Sequence, residues 1–139
     1  MKIVVTSHGD LCSGILNSME MIAGKQENVF PVKLTESGIG NFSENLKSVL
    51  DELTTQDQVL ILCDLKGGTP YNQSYQYYLE NPNNVRVVSG LNLSMLIETA
   101  MMLGSTNDLD FLADIAVQAG QAGVEKISED DSNEEDLEF

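Results

Sequence analysis

The chain has 139 residues, 42% of them hydrophobic, and 22 acidic against 7 basic side chains give it a formal charge of −15. That is enough apolar material for one full core and one globular unit, while the negative excess repels phosphate backbones and anionic headgroups, excludes nucleic acid as the expected partner and steers a basic protein partner toward the surface. No stretch approaches the roughly 20 apolar residues needed to cross a bilayer, and the N-terminus lacks the basic region, apolar run and cleavage site of a signal peptide, so a cytoplasmic protein is expected.

Strand-like and helical patterns alternate from the first residue. The first strand is expected over residues 3–7, rich in β-branched side chains and ending at Ser7-His8-Gly9. Asp10 can cap a helix whose Leu11, Ile15, Met19 and Ile22 line one face, with Gly24 as its stop. A second strand covers residues 29–34, and Pro31 within it argues for an edge position, because proline cannot donate to a strand ladder. Asn41 followed three residues later by Glu44 resembles a capping box, and Phe42, Leu46, Val49, Leu50 and Leu53 supply the stripe behind it.

The third strand, residues 59–63, runs into Asp64-Leu65-Lys66-Gly67-Gly68-Thr69-Pro70. Thr69 with Pro70 is a strong helix start, a hydroxyl at the cap and a proline at the first helical position, and Tyr71, Tyr75, Tyr78 and Leu79 follow at helical spacing. A fourth strand over 85–89 leads through Gly90-Leu91-Asn92 to a helix over 94–103, and a last helix runs from Asp108 to about Ile127. Four strands separated by helices imply parallel βαβ units with right-handed crossovers, so helices cover both faces of an α/β sandwich and strands one and three are central neighbours. Residues 128–139 hold seven of the acidic side chains, which leaves eight net negative charges to residues 1–127. The expected division is a domain over 1–127 and a solvated, disordered acidic tail over 128–139.

Two cysteines, Cys12 and Cys63, are too few for a disulfide framework and form no CxxC pair, so both are expected as buried free thiols in a reducing compartment. With one histidine they also make a poor metal site, and no metal is expected. The methionines at 19, 21, 95, 101 and 102 occupy helical apolar positions that suit core filling.

The chemistry is expected where strands one and three end side by side, since ligands of open α/β sheets sit at the carboxyl ends of the strands. His8 is the only histidine. An imidazole is a good nucleophile and leaving group for a phosphoryl unit, and a carboxylate on its far nitrogen fixes the tautomer and stabilises the charge that develops on attack. Asp64 is placed to be that carboxylate. Gly67 and Gly68 let backbone amides approach an anion, and a helix beginning at Thr69 aims its dipole at the same place. The blander readings are a histidine that caps a turn and an ordinary tight turn into a helix. Neither GxxxxGK[ST] nor GxGxxG is present, so nucleotide hydrolysis loses support. Asn92 could support the site or cap its own helix.

Taken in order, the strand ending in Ser-His-Gly, the run Asp64-Leu65-Lys66-Gly67-Gly68-Thr69-Pro70-Tyr71-Asn72, and Gly90-Leu91-Asn92 leading into Met95-Leu96-Ile97-Glu98-Thr99 resemble the mannose-family IIA component of the bacterial phosphoenolpyruvate-dependent sugar phosphotransferase system. The resemblance covers roughly residues 1–127. It implies an α/β fold with a mostly parallel sheet in the order 2-1-3-4 and a homodimer, in some members with an exchanged C-terminal strand, for which the acidic segment after Ile127 is poorly suited. It further implies that His8 receives a phosphoryl group from the histidine-containing phosphocarrier protein and passes it to a IIB component, which phosphorylates sugar entering through a membrane permease. Asp64 carries over as the imidazole partner, Gly67, Gly68 and Thr69 as the phosphate-binding turn, and no cofactor is implied. Many relatives have serine at position 69; threonine keeps the hydroxyl. With no second domain after residue 127, IIB is expected as a separate polypeptide.

Three alternatives stand beside this. A dihydroxyacetone kinase phosphotransfer subunit shares the fold and the N-terminal phosphohistidine, although the GGTP turn favours the sugar-transport branch. A receiver-like module would accept phosphate on Asp64, but receivers want an acidic pair after strand one. A non-enzymatic module could use His8 and Asp64 simply to hold a small ligand.

Overall fold

The computed structural model describes residues 1–129; the expected disorder of the acidic tail concerns mainly residues 130–139, which lie outside them. Four strands form one parallel sheet: β1 (Lys2–His8), β2 (Val29–Leu34), β3 (Val59–Cys63) and β4 (Val85–Ser89). Their order is β2-β1-β3-β4. Between and after them run α1 (Leu11–Ala23), α2 (Ile39–Thr54), α3 (Thr69–Glu80), α4 (Leu93–Met102) and α5 (Leu109–Ala122). Pro31 lies on the edge strand and is exposed, opposite Val5. In register, Thr6 faces Cys63 and His8 faces Leu34, so the ends of β1 and β3 emerge at the same edge of the sheet.

The alternation of the central strands divides the core in two. Ile3, Val5, Leu60 and Leu62 pack with Cys12, Met19, Leu96 and Leu112, which places α1, α4 and α5 on one face. Val4, Val59, Ile61 and Cys63 pack with Phe42, Leu46, Leu50 and Tyr77, which places α2 and α3 on the other. Every residue of β3 is buried, as expected for a central parallel strand covered on both sides. The result is the three-layer α/β sandwich expected from the sequence. Among the described residues no helix is long and apolar enough to cross a membrane.

Several local expectations are corrected. The inner face of α1 is Cys12 and Met19, whereas Leu11 and Ile22 are exposed at its two ends. The capping box at Asn41 does not form: the cap of α2 lies three residues earlier, at Gly38 with φ 101°, and Asn41 donates its side-chain N–H to the Ser37 carbonyl. The buried side of α3 is Pro70, Ser74 and Tyr77, one residue out of phase with the expected tyrosine stripe, and Tyr75 and Leu79 are exposed. Ser74 can turn inward because its hydroxyl donates to the Pro70 carbonyl at 2.7 Å, and Tyr77 can because its hydroxyl donates to Asp51 at 2.8 Å. The last helix stops at Ala122 instead of continuing to Ile127. Beyond Gly123 the apolar residues Val124 and Ile127 are 77% and 91% exposed, so no packing surface supports another turn.

Because Leu62 is wholly buried in the central strand beside the site, Leu62→Ala is expected to lower the unfolding free energy by about 2–5 kcal/mol through lost transfer energy and a cavity. Chemical denaturation with an unchanged slope would measure it.

Candidate functional site

His8 is the last residue of β1 and Asp64 the first after β3. The parallel pairing continues past the strands, the Asp64 N–H donating to the Thr6 carbonyl at 3.2 Å, and this aligns the carboxylate with the imidazole. One oxygen, Oδ2, accepts both the His8 backbone N–H at 2.9 Å and the ring nitrogen Nδ1 at 2.8 Å. The other, Oδ1, accepts the Leu65 N–H at 2.9 Å. The His8 side chain is 48% exposed and that of Asp64 9% exposed. Burial pushes the Asp64 carboxyl up, but the His8 N–H, the ring and the Leu65 N–H together outweigh it and hold the group below its ordinary value. An ionised carboxylate can only accept, so the hydrogen of this pair sits on Nδ1 and the lone pair of the neutral ring is on Nε2.

The Nε2 side of the ring meets the turn between β3 and α3. Residues 65–68 close with the Gly68 N–H donating to the Leu65 carbonyl at 3.2 Å, and Gly67 holds the third position with φ 85°. Gly68 lies so close that a Cβ there would stand 2.7 Å from the His8 ring carbon Cε1 and 3.3 Å from Nε2. Gly68 is the N-cap of α3, so Thr69 is the first helical residue and Pro70 the second. This corrects the expected capping role of Thr69, since the cap position belongs to Gly68. Among the described residues, no protein acceptor meets its backbone N–H. First-turn amides without intrahelical partners, together with the helix dipole, favour an anion at this end of α3.

The residues around the pair hold it in place. Asp10 stands at the N-cap position of α1 as expected, but its side chain makes no cap hydrogen bond. It forms an ion pair with Lys33 at 2.7 Å, whose hydrogen bond holds its carboxyl below the ordinary value. Ser7 takes the capping role, accepting the Cys12 N–H at 2.8 Å and donating to the Gly9 carbonyl at 3.0 Å while wholly buried. Sequence reading missed it, because two capping oxygens stood close together and the lysine that captures the other is 23 residues away. Cys12 and Cys63 are free and buried, as expected. Burial pushes the Cys63 thiol up to about 12, so the sulfur beside Asp64 stays protonated and offers no competing nucleophile. Asn92 caps α4, accepting the Met95 N–H at 2.9 Å, and donates to the Gly120 carbonyl at 2.9 Å. It serves the packing of α4 on α5, while the adjacent Leu91 N–H ties that loop to the Cys63 carbonyl.

His8, Asp64 and Gly68 thus meet at the sheet edge, with Gly67 and Thr69 the chain neighbours of Gly68. A ring nitrogen with a free lone pair, a carboxylate behind the ring and a helix N-terminus in front of it together suit transfer of an anionic electrophile. A receiver-like use of Asp64 fits poorly, since its two oxygens already accept three N–H groups.

Two outcomes follow from this geometry. In Gly68→Ala the new methyl is expected to push the imidazole off Asp64, and nitrogen NMR of the ring should show the Nδ1–H tautomer giving way to a mixture. Because the folded carboxyl of Asp64 lies below its unfolded value of about 3.9, its contribution to stability is full above that pH and is lost as pH falls through the folded value. The difference in unfolding free energy between wild type and Asp64→Asn is therefore expected to shrink as pH falls below about 4.

The chain as a whole is similar to several known proteins. The EIIA-man family, described as PTS system fructose IIA component, matches residues 2–117. The chain is 31% identical over 128 residues to the PTS system mannose-specific EIIAB component of Escherichia coli (strain K12), covering 91% of this chain and 39% of that protein, so it spans about two-fifths of that relative's length. It is 29% identical over 99 residues to the PTS system fructose-specific EIIA component of Bacillus subtilis (strain 168), covering 70% of this chain and 67% of that one. Among solved structures, the mannose/sorbose specific IIA subunit of the phosphotransferase system from Enterococcus faecalis superposes with a TM-score of 0.82 at 36% identity, covering 91% of this chain and 94% of that chain.

Proposed function

This chain belongs to the EIIA-man family of phosphotransferase-system IIA components, and from that premise we propose that His8 is a phosphoryl carrier in coupled sugar uptake. The observation that carries the reading is the His8 ring held through Nδ1 by Asp64, with Nε2 turned toward Gly68 at the start of α3. The donor is the phosphorylated histidine phosphocarrier protein. The Nε2 lone pair of His8 attacks phosphorus, the P–N bond of the donor breaks, and its electron pair returns to the donor's imidazole. His8 keeps its Nδ1 hydrogen, so the positive charge that develops on the ring faces an ionised Asp64. The phosphoryl oxygens lie before the Gly67-Gly68-Thr69 turn, where the Thr69 N–H and the first-turn dipole of α3 stabilise their charge.

In the second half-reaction the roles reverse. A IIB component attacks the phosphoryl group, the bond to Nε2 breaks, and the ring returns to its neutral form. The same carboxylate serves both directions, as a carrier requires, because it stabilises the charged ring without forming a bond to phosphorus. IIB passes the group to sugar entering through a membrane permease, and the work of this chain is done in the cytoplasm. The transfer domain is residues 1–127, with residues 128–139 outside it, and the carrier works as a homodimer. The net charge of −15 draws a partner with a basic face toward the protein surface.

Intact mass measured after incubation with phosphoenolpyruvate, enzyme I and the histidine phosphocarrier tests the assignment. Wild type is expected to gain one phosphoryl group that is lost in acid and survives base, while His8→Ala gains none. Full phosphorylation of His8→Ala, or an adduct lost in base, would remove His8 from the mechanism.

A further inference from the structure

Asn72 stands in the same run as the phosphate turn, and the carrier mechanism above makes no use of it. It is the fourth residue of α3 and is exposed, so its side chain does not belong to the core. Its backbone N–H donates to the Gly68 carbonyl at 2.9 Å, the ordinary first bond of the helix. Its side-chain Nδ2 reaches back five residues and donates to the Gly67 carbonyl at 3.1 Å. Two consecutive carbonyls of the turn that faces His8 are therefore held by one residue.

That matters because of how a peptide unit is built. In a trans peptide the C=O and N–H point in opposite directions, and the described residues contain no cis peptide bond. With the Gly68 carbonyl turned along the helix toward Asn72, the Thr69 N–H points out of the helix N-terminus. With the Gly67 carbonyl turned to the Asn72 side chain, the Gly68 N–H points to Leu65, whose carbonyl it meets at 3.2 Å. A Gly67 carbonyl released from the Asn72 side chain could swing its negative end toward the anion that forms on Nε2 and would turn the Gly68 N–H off Leu65 as it did so.

We propose that Asn72 is a positioning residue for phosphoryl transfer, its side chain keeping the Gly67 carbonyl on the helix side of the turn so that the Gly68 N–H stays on Leu65 and the Gly67 oxygen stays away from the phosphoryl group on His8 Nε2. The Gly68 carbonyl is held by the Asn72 main chain, which any residue supplies. This rests on the reading of His8 as the carrier. An exposed side-chain hydrogen bond contributes little to stability, so a purely structural role would leave transfer almost unchanged. A role in holding the Gly67 peptide would slow transfer without melting the protein.

Asn81 provides the control, because it makes the same kind of bond at the other end of α3, its Nδ2 donating to the Tyr77 carbonyl at 3.1 Å. Full-length wild type, Asn72→Ala and Asn81→Ala would be phosphorylated with phosphoenolpyruvate, enzyme I and the histidine phosphocarrier. The rate would be followed by intact mass and the Gly68 amide by its proton and nitrogen shifts. Wild type and Asn81→Ala are expected to transfer at similar rates and to share the same Gly68 amide shift. Asn72→Ala is expected to transfer about tenfold more slowly, as misaligned groups do, with the Gly68 amide moved from its wild-type position and a melting temperature close to that of Asn81→Ala. Asn72→Leu keeps the approximate shape, removes the Nδ2 donor and adds no charge, and it is expected to show the same loss even if the alanine variant folds poorly. A wild-type rate and an unmoved Gly68 amide in Asn72→Ala and Asn72→Leu would overturn the proposal and leave the carrier reading standing. A wild type that takes up no phosphoryl group would overturn both.

Discussion

The Asp64 carboxylate is the interaction on which the rest of the site depends. Its two oxygens accept the backbone N–H of His8, the ring nitrogen of the same residue and the N–H of Leu65, so one side chain joins the end of β1 to the loop after β3. A bond to the backbone of His8 as well as to its ring restrains both the strand end and the rotamer. The charge is kept by the same contacts: burial alone would favour the neutral acid, and the three N–H donors reverse that preference. An ionised Asp64 in turn dictates which nitrogen of His8 carries hydrogen, and therefore which is free to react.

The free nitrogen is useful only because of what stands before it. Gly68 brings backbone where any other residue would bring a methyl, and the helix that begins at Thr69 starts at that point. The site is thus made largely of main chain: a strand end, a turn and a helix N-terminus. Few side chains have to be specified for it. The sandwich supplies the rigid frame, with β1 and β3 central, packed on both faces, and ending at the same edge. A carrier gains from this economy, because an exposed imidazole on a rigid edge can meet two different partners in succession without rearranging the fold. This link between exposure and exchange belongs to the proposed function, and the 48% exposure of His8 is what makes it physically available.

Much of this was legible in the chain. Alternating apolar and helical runs specify parallel βαβ units because each strand must be covered on both faces, and Pro31 marks an edge because it cannot donate to a neighbour. His8 and Asp64 could be paired on paper since both follow strands expected to be adjacent. Local capping was harder to read. Ser7, Asp10, Asn41 and Thr69 all have the right chemistry for a helix start, yet Asp10 is taken by Lys33, Asn41 lies inside α2, and Thr69 follows a glycine cap. The phase of α3 was also misread, because a serine and a tyrosine turn inward only when a carbonyl and Asp51 are there to receive their hydroxyls.

What the sequence determined by itself was therefore the class of fold, the order in which its elements run and the meeting of the lone histidine with Asp64, since these follow from periodicity, backbone chemistry and the strand ends on which the two residues stand. Only the tertiary structure decided which ring nitrogen is free, which hydroxyl caps α1 and which residue holds the turn. Each of those depends on a hydrogen-bond partner brought into reach by folding, and a donor's choice among several acceptors is settled by distance in space and not by distance along the chain.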